Sequence, residues 1–265
     1  MIQKTVRPLT RNGEHLRDLL LALTQKEIKI RYKSSWLGYV WSLANPLAFM
    51  LLYVIVFGVF MRTQAPGYPY PVFLIAGLFP WQWFANSVNA APNIFLGNSS
   101  LIKKVRFPRN LLVMSTVLHD GTHFVLSIPI ILGGLLMYRH SPSWSWLLGI
   151  PLLIPAQVLM VYGLALTIAS VNLFFRDLER LTVLLTTFLF FLTPVVYPLT
   201  TVPAPYHVLI YLNPAVPLIL SWQQLFLAGH LPWPLIAAAY VHAMVSLGFG
   251  TLVFQKLSWK FAEVV

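Results

Sequence analysis

The chain has 265 residues, of which 58% are hydrophobic and only 9% charged, and its mean hydropathy is +0.73. Ordinary globular proteins carry about 25% charged residues, so a soluble particle of this size is excluded and a polytopic membrane protein is expected. The formal net charge of +11 does not point to nucleic acid, because no basic stripe interleaved with stacking aromatics projects into water; the chain has no cysteine, which removes disulfides, thiolate metal sites and cysteine nucleophiles.

In chain order, the first 35 residues mix charged and apolar types, with no compact apolar stretch before a small-residue site. No cleavable signal is expected there, and the first span doubles as the insertion signal. Asn12 can cap a helix from Glu14 to Lys33, within an interface segment placed at 12–34. Leu16, Leu19, Leu20, Leu23 and Ile30 recur at steps of three and four, with Arg17, Asp18, Gln25 and Lys29 between them. An apolar stripe on a basic helix belongs in the membrane surface.

Six spans follow from the length of ~20 residues that a crossing helix needs. They are placed at 37–61, 70–92, 113–138, 144–173, 181–199 and 233–254. On the first, Tyr39, Ser42, Phe49, Tyr53, Phe57 and Phe60 fall near one line at 100° per residue. Lipid-facing helices favour aliphatics with aromatics only at their ends. This stripe therefore predicts a conduit, in which apolar sugar faces slide over rings while hydroxyls exchange hydrogen bonds; ordinary helix packing is its rival. Trp81 and Trp83 in GLFPWQWF (77–84), with Phe188, Phe190, Phe191 and Tyr197, add to the expected wall, interfacial anchoring being the rival for a single Trp.

The segment 200–230 is apolar yet broken by Pro203, Pro205, Pro214 and Pro217. Its pieces are too short to cross a hydrocarbon core of ~30 Å. Two short re-entrant helices from the periplasmic face, turning near Asn213 and Pro214, meet that limit. Irregular backbone at such depth is covered by protein or lines a cavity, as a gate or plug would be.

The spans sort the cations. Sixteen of the 18 Lys and Arg fall on one side, in the segments Lys4 to Lys33, Lys103 to Arg109, Arg176 to Arg180 and Lys256 to Lys260; Arg62 and Arg139 fall on the other. This positive-inside pattern places both termini in the cytoplasm and the chain in the inner (plasma) membrane.

Chemistry of its own is not legible. His119-Asp120-Gly121-Thr122-His123 has the histidine spacing of a zinc helix, but Asp stands where the protease motif needs Glu, and no third ligand is evident. The expected role is a polar patch with Asp120 paired to a histidine or a cation. No GxxxxGK[ST] loop occurs, so no nucleotide phosphate is cradled by that mechanism. Few ionisable groups sit inside the spans, which argues against an ion-coupled relay. No metal, catalytic residue or cofactor is expected in this chain.

Several ordered strings carry a resemblance: RYKSSWLGYVWSLANPL (31–47), NSSLIKKVRFPRNLL (98–112), NLFFRDLERL (172–181), TPVVYP (193–198) and NPAVPLILSWQQLFLAG (213–229). Together they resemble the permease subunit of type-2 ABC exporters, in the polysaccharide and O-antigen branch. The resemblance implies an all-α permease in one domain, 1–265, that forms a homodimer and works with two copies of a separate ATPase, which binds the ATP and Mg. It implies a coupling helix at 97–110, where Leu101, Ile102, Lys103, Lys104, Val105, Arg106 and Phe107 dock the ATPase. Arg176 and Asp177 form a smaller contact, and Asn213, Pro214 and Trp222 belong to the periplasmic gate. Arg31 and Lys33 stand where the pyrophosphate head of a lipid-linked glycan would be captured. The alternatives are a type-2 permease for teichoic acid, capsule or drug, an ion-coupled carrier, or, more distantly, an intramembrane metalloprotease.

Overall fold

The computed structural model describes residues 13–32, 40–65, 67–105 and 107–261, without the side chains of 13–15, 28–32, 40–43, 45 and 46. Among the described residues the fold is helical and no strand forms. Helix α1 spans Gly13–Tyr32, close to the expected surface helix; the Asn12 cap lies outside the described residues. Leu23 is buried and Leu19 half-buried, so part of the apolar stripe is spent on protein, against α6.

Helix α2 (Val40–Tyr53) runs on as a π-helical segment, Val54–Phe60. Helix α3 (Tyr70–Ala90) forms the centre and touches α2, α6, α7, α8 and α10. After a 3₁₀ turn at Ala91–Asn93 come the short α4 (Ile94–Gly97) and α5 (Ser99–Lys104). Helices α6 (Asn110–Met137), α7 (Trp146–Asn172) and α11 (Trp233–Leu257) are long. These three are long and apolar enough to cross a membrane. Between them lie α8 (Leu178–Leu192), α9 (His207–Leu212) and α10 (Ala215–Ala228).

Proline chemistry set most of these ends. Pro194 disfavours the helical region for the residue before it, and Thr193 turns extended at φ −101°, ψ 135°. The fifth predicted span, 181–199, is thereby corrected: its helix stops at Leu192. The backbone breaks again at Asn213 and Pro214, between α9 and α10, where the proline spacing places it.

Breaks in buried backbone expose carbonyls that need donors. Three buried carboxamides each donate to the carbonyl of a proline, two of them where the helix ends and one within α3. Gln157 Nε2 donates to the Pro80 carbonyl at 2.8 Å, Asn172 Nδ2 to Pro92 at 2.9 Å, and Gln223 Nε2 to Pro194 at 2.9 Å. Gly77 makes room for the last, since a Cβ there would press on Gln223 Nε2. Tyr70 Oη donates to the Val196 carbonyl at 2.7 Å, and Asn213 Nδ2 to Thr193 Oγ1 at 2.8 Å. The turn after α8 thus takes hydrogen bonds from α3, α10 and the α9–α10 turn. Helices α7 and α11 meet even more closely, at glycines: a Cβ on Gly163 would collide with the Ser246–Leu247 backbone.

Gln157 also accepts the indole N–H of Trp222 at 2.7 Å, so one fully buried side chain joins α3, α7 and α10. Replacing it with leucine leaves the Trp222 indole N–H unsatisfied, at about 1–3 kcal/mol, and removes the side-chain bond to the Pro80 carbonyl. Gln157→Leu is expected to lower the thermal unfolding midpoint in detergent by several degrees; an unchanged midpoint contradicts the bridging role.

Candidate functional site: an aromatic face and a basic end

The aromatic stripe is built on α2. Phe49 stacks on Tyr53 at 6.2 Å between ring centroids, and Tyr53 lies 6.2 Å from Phe57. The four-residue steps place these rings on one side of the helix. Phe190 of α8 meets Tyr53 at 5.4 Å and Trp81 of α3 at 5.6 Å. Phe49, Tyr53, Phe57, Phe190 and Trp81 thus form one continuous run across three helices. Phe190 lies off the periodic line of the first span and belongs to the aromatic group in FLFF (188–191) that the residues offered as additional wall.

Two predicted members stand elsewhere. Phe60 is 74% exposed, because a π-helix closes i→i+5 bonds and advances less per residue than the 100° that put Phe60 on the line. Trp83 points away from α2: its indole donates to the Val117 carbonyl at 3.0 Å and its ring stacks on Phe124 at 5.3 Å. Trp81 and Trp83 are two residues apart, and such positions do not share a helix face. Tyr39 and the side chain of Ser42 lie outside the described residues.

At one end of the helical body the basic segments are tied together. Lys26 Nζ donates to Asn98 Oδ1 at 2.8 Å, joining α1 to the α4–α5 turn. Asn93 Nδ2 donates to Glu179 Oε1 at 2.8 Å, joining the 3₁₀ turn before α4 to the start of α8. Arg109 Nη1 donates to the Ser258 carbonyl at 2.9 Å and lies 5.9 Å from the Phe261 ring. Fully buried Phe261 in turn packs on Phe95, Phe174 and Phe254. The four segments that charge sorting assigned to one side are therefore neighbours in space. Tyr68 and His140 meet at the opposite end, beyond Arg62 and Arg139.

Within 97–110 the side chains divide. Ile102 is buried and Leu101 and Phe107 pack on the core, whereas Lys103, Lys104 and Val105 face outward. The apolar residues anchor the short helix, so the outward surface is smaller and more basic than the string of seven suggests. Arg176 and Asp177 are exposed on the turn before α8. Arg106 and Lys33, and the side chain of Arg31, lie outside the described residues. Asn213 is buried, binding Thr193 and accepting the Ala215 N–H at 3.0 Å, and Pro214 stands at the N-cap of α10. Trp222 is fully buried, stacked on Phe226 and edge-on to Phe124, which makes it part of the core.

The HDGTH string forms a buried cluster. Ser87 Oγ donates to Asp120 Oδ2 at 2.7 Å, His119 Nδ1 lies 3.2 Å from Asp120 Oδ1, and His123 Nε2 lies 3.4 Å from His119 Nε2. Asp120 is paired with a histidine, as expected. Gly121 is needed beside it, because a Cβ would stand 2.7 Å from the Trp83 ring. Truncating the carboxylate takes the partner from the Ser87 hydroxyl and from His119 Nδ1, at about 1–3 kcal/mol each. Asp120→Ala is expected to lower the melting temperature more than Ser87→Ala, which removes the donor of one bond and leaves the Asp120–His119 contact in place; equal midpoints would contradict this.

Set against known proteins, residues 18–227 match the family model described as ABC-2 type transporter. The chain is 43% identical to the O-antigen export system permease protein RfbA of Klebsiella pneumoniae over 254 residues, which cover 96% of this chain and 97% of that protein. To the protein of the same name from Myxococcus xanthus it is 37% identical over 261 residues, 97% and 99% of the two chains. The polysialic acid transport protein KpsM of Escherichia coli is 22% identical over 229 residues, 84% of this chain and 87% of that protein. The chain belongs to the ABC-2 type transporter family.

Proposed function

We propose that this member of the ABC-2 type transporter family is the membrane permease of an exporter that moves lipid-linked polysaccharide of the O-antigen type out of the cytoplasm. The observation that carries this reading is the likeness, over nearly all of both chains, to proteins named as O-antigen export permeases. The continuous run of rings fits that cargo, because sugar faces are apolar and pack on aromatic surfaces while their hydroxyls stay hydrated. A capsule-type cargo is less favoured, since identity to the polysialic acid transport protein falls to 22%.

In this reading α2, α3, α6, α7, α8 and α11 are the six spans, with α8 completed by the satisfied stretch at 193–198. Helices α9 and α10 are the periplasmic gate, and both termini face the cytoplasm. Two protomers enclose the passage with the aromatic run of α2 and α8. Arg31 and Lys33 capture the phosphate of the lipid carrier. The 265 residues hold no GxxxxGK[ST] loop, so ATP is hydrolysed by a separate subunit in two copies. That subunit seats against Lys103, Lys104, Val105, Arg176 and Asp177, and its push travels through Ile102 into the core.

Two experiments bear on this. Val105→Asp combined with Lys103→Glu and Lys104→Glu alters exposed positions only, so folding is expected to persist while recovery of the ATPase partner falls at least about tenfold, the scale of an interface hot spot. Unchanged recovery removes the docking assignment. Tyr53→Ala with Phe57→Ala should impair glycan export at undiminished membrane insertion; unchanged export would return the ring run to packing.

A further inference from the structure

We infer that the cleft beneath α1 binds the headgroup of a zwitterionic phospholipid, with phosphoethanolamine as the matching chemistry. The cleft has a volume of ≈ 380 Å³, and its polar lining is Lys26, Glu27, Asn93, Asn98, Thr116 and His119. That volume lies within the range of about 300–1,000 Å³ typical of small-ligand sites. A surface helix lies with its axis at the level of lipid headgroups, so a polar hollow under such a helix opens where headgroups are.

The lining selects among headgroups. Lys26 spends one N–H on Asn98 Oδ1, and an ammonium has three donors, which leaves two for phosphate oxygens. Asn98 is held from its other side as well, because its Nδ2 donates to the Ile94 carbonyl at 2.9 Å. Glu27, next in sequence and on the same wall, supplies carboxylate oxygens to a primary ammonium. One cation and one carboxylate make a lining with no excess of positive charge, unlike the outer surface at Lys103 and Lys104, so a purely anionic headgroup meets repulsion from Glu27. No Phe, Tyr or Trp is among the described residues of the lining, and quaternary ammonium groups are recognised on aromatic faces; choline therefore finds no counterpart. The deep wall is His119, 3% exposed and fixed by the Asp120 and Ser87 bonds. A headgroup seated here would join α1 to the α4–α5 turn and to α6, the three elements that meet at the basic end. This inference does not rest on the identity of the cargo.

Native mass spectrometry of the full chain, stripped of lipid in detergent and titrated with phosphatidylethanolamine, phosphatidylcholine or phosphatidylglycerol, tests it. Phosphatidylethanolamine is expected to bind about tenfold more tightly than either other lipid, the scale of one hydrogen bond to a charged group. Glu27→Gln should bring it down to the level of phosphatidylglycerol, and Lys26→Gln should weaken both. Equal binding of the three lipids by the unaltered chain overturns the inference without any variant, as does a preference that survives Glu27→Gln. Neither result touches export or ATPase recovery, so failure here and failure of the proposed function are distinguishable.

Discussion

Lipid offers no hydrogen bonds, so every backbone carbonyl that a broken helix releases must find a donor inside the protein. The rest of this structure depends on how that demand is met. Pro80, Pro92 and Pro194 interrupt or bend buried backbone, and Gln157, Asn172 and Gln223 each aim an amide at one of their carbonyls. Each carboxamide comes from a different part of the chain than the break it serves. The repairs therefore cross-link helices: Gln157 joins α7 to α3 and α10, Asn172 joins α7 to the turn after α3, and Gln223 joins α10 to the stretch after α8.

The consequence is a molecule with a firmly tied part and a lightly held part. Helix α3 is buried along most of its length, and α7 and α11 touch at glycines. By contrast, the π-helical segment after Tyr53 buries none of its residues, and α8 buries only Thr182, Thr186 and Phe190. The aromatic run lies where these parts meet, with Phe190 between Tyr53 and Trp81. π-Helical turns occur frequently at functional sites. On the proposed reading, in which a polymer slides over this face, the lightly held helices suit it better than the cross-linked core. At the other extreme, on the basic end, Asn98, Glu179 and Ser258 take hydrogen bonds from neighbouring segments, and this is where the proposed reading has force enter.

Much of this was legible in the residues. Hydropathy and length placed the long helices within a few residues of their ends, prolines placed the turn at Asn213, and charge sorting grouped segments that prove to be neighbours. Asp120 pairs with His119 because a lone buried charge is costly in lipid, an argument that needs no structure. What stayed hidden depends on partners. Periodicity names a face of a helix and not what covers it, so Ile102 reads as a docking residue until α5 turns it inward. That Trp222 is fully buried and held by Gln157 could not be read from its place in the gate segment. Phe60 drops off the stripe because nothing in the residues announced a π-helical segment. The carboxamides were visible only as polar letters in apolar runs, and their role rests on contacts 29 to 80 residues away.

The account reduces to a lipid-embedded passage that is worked from its basic end by a subunit it does not contain. Glycan translocation into sealed vesicles, compared for the chain alone and for the chain together with its ATPase and ATP, tests this most directly. Translocation only in the second case is the predicted result; translocation by the chain alone, with no nucleotide-hydrolysing companion, would contradict it.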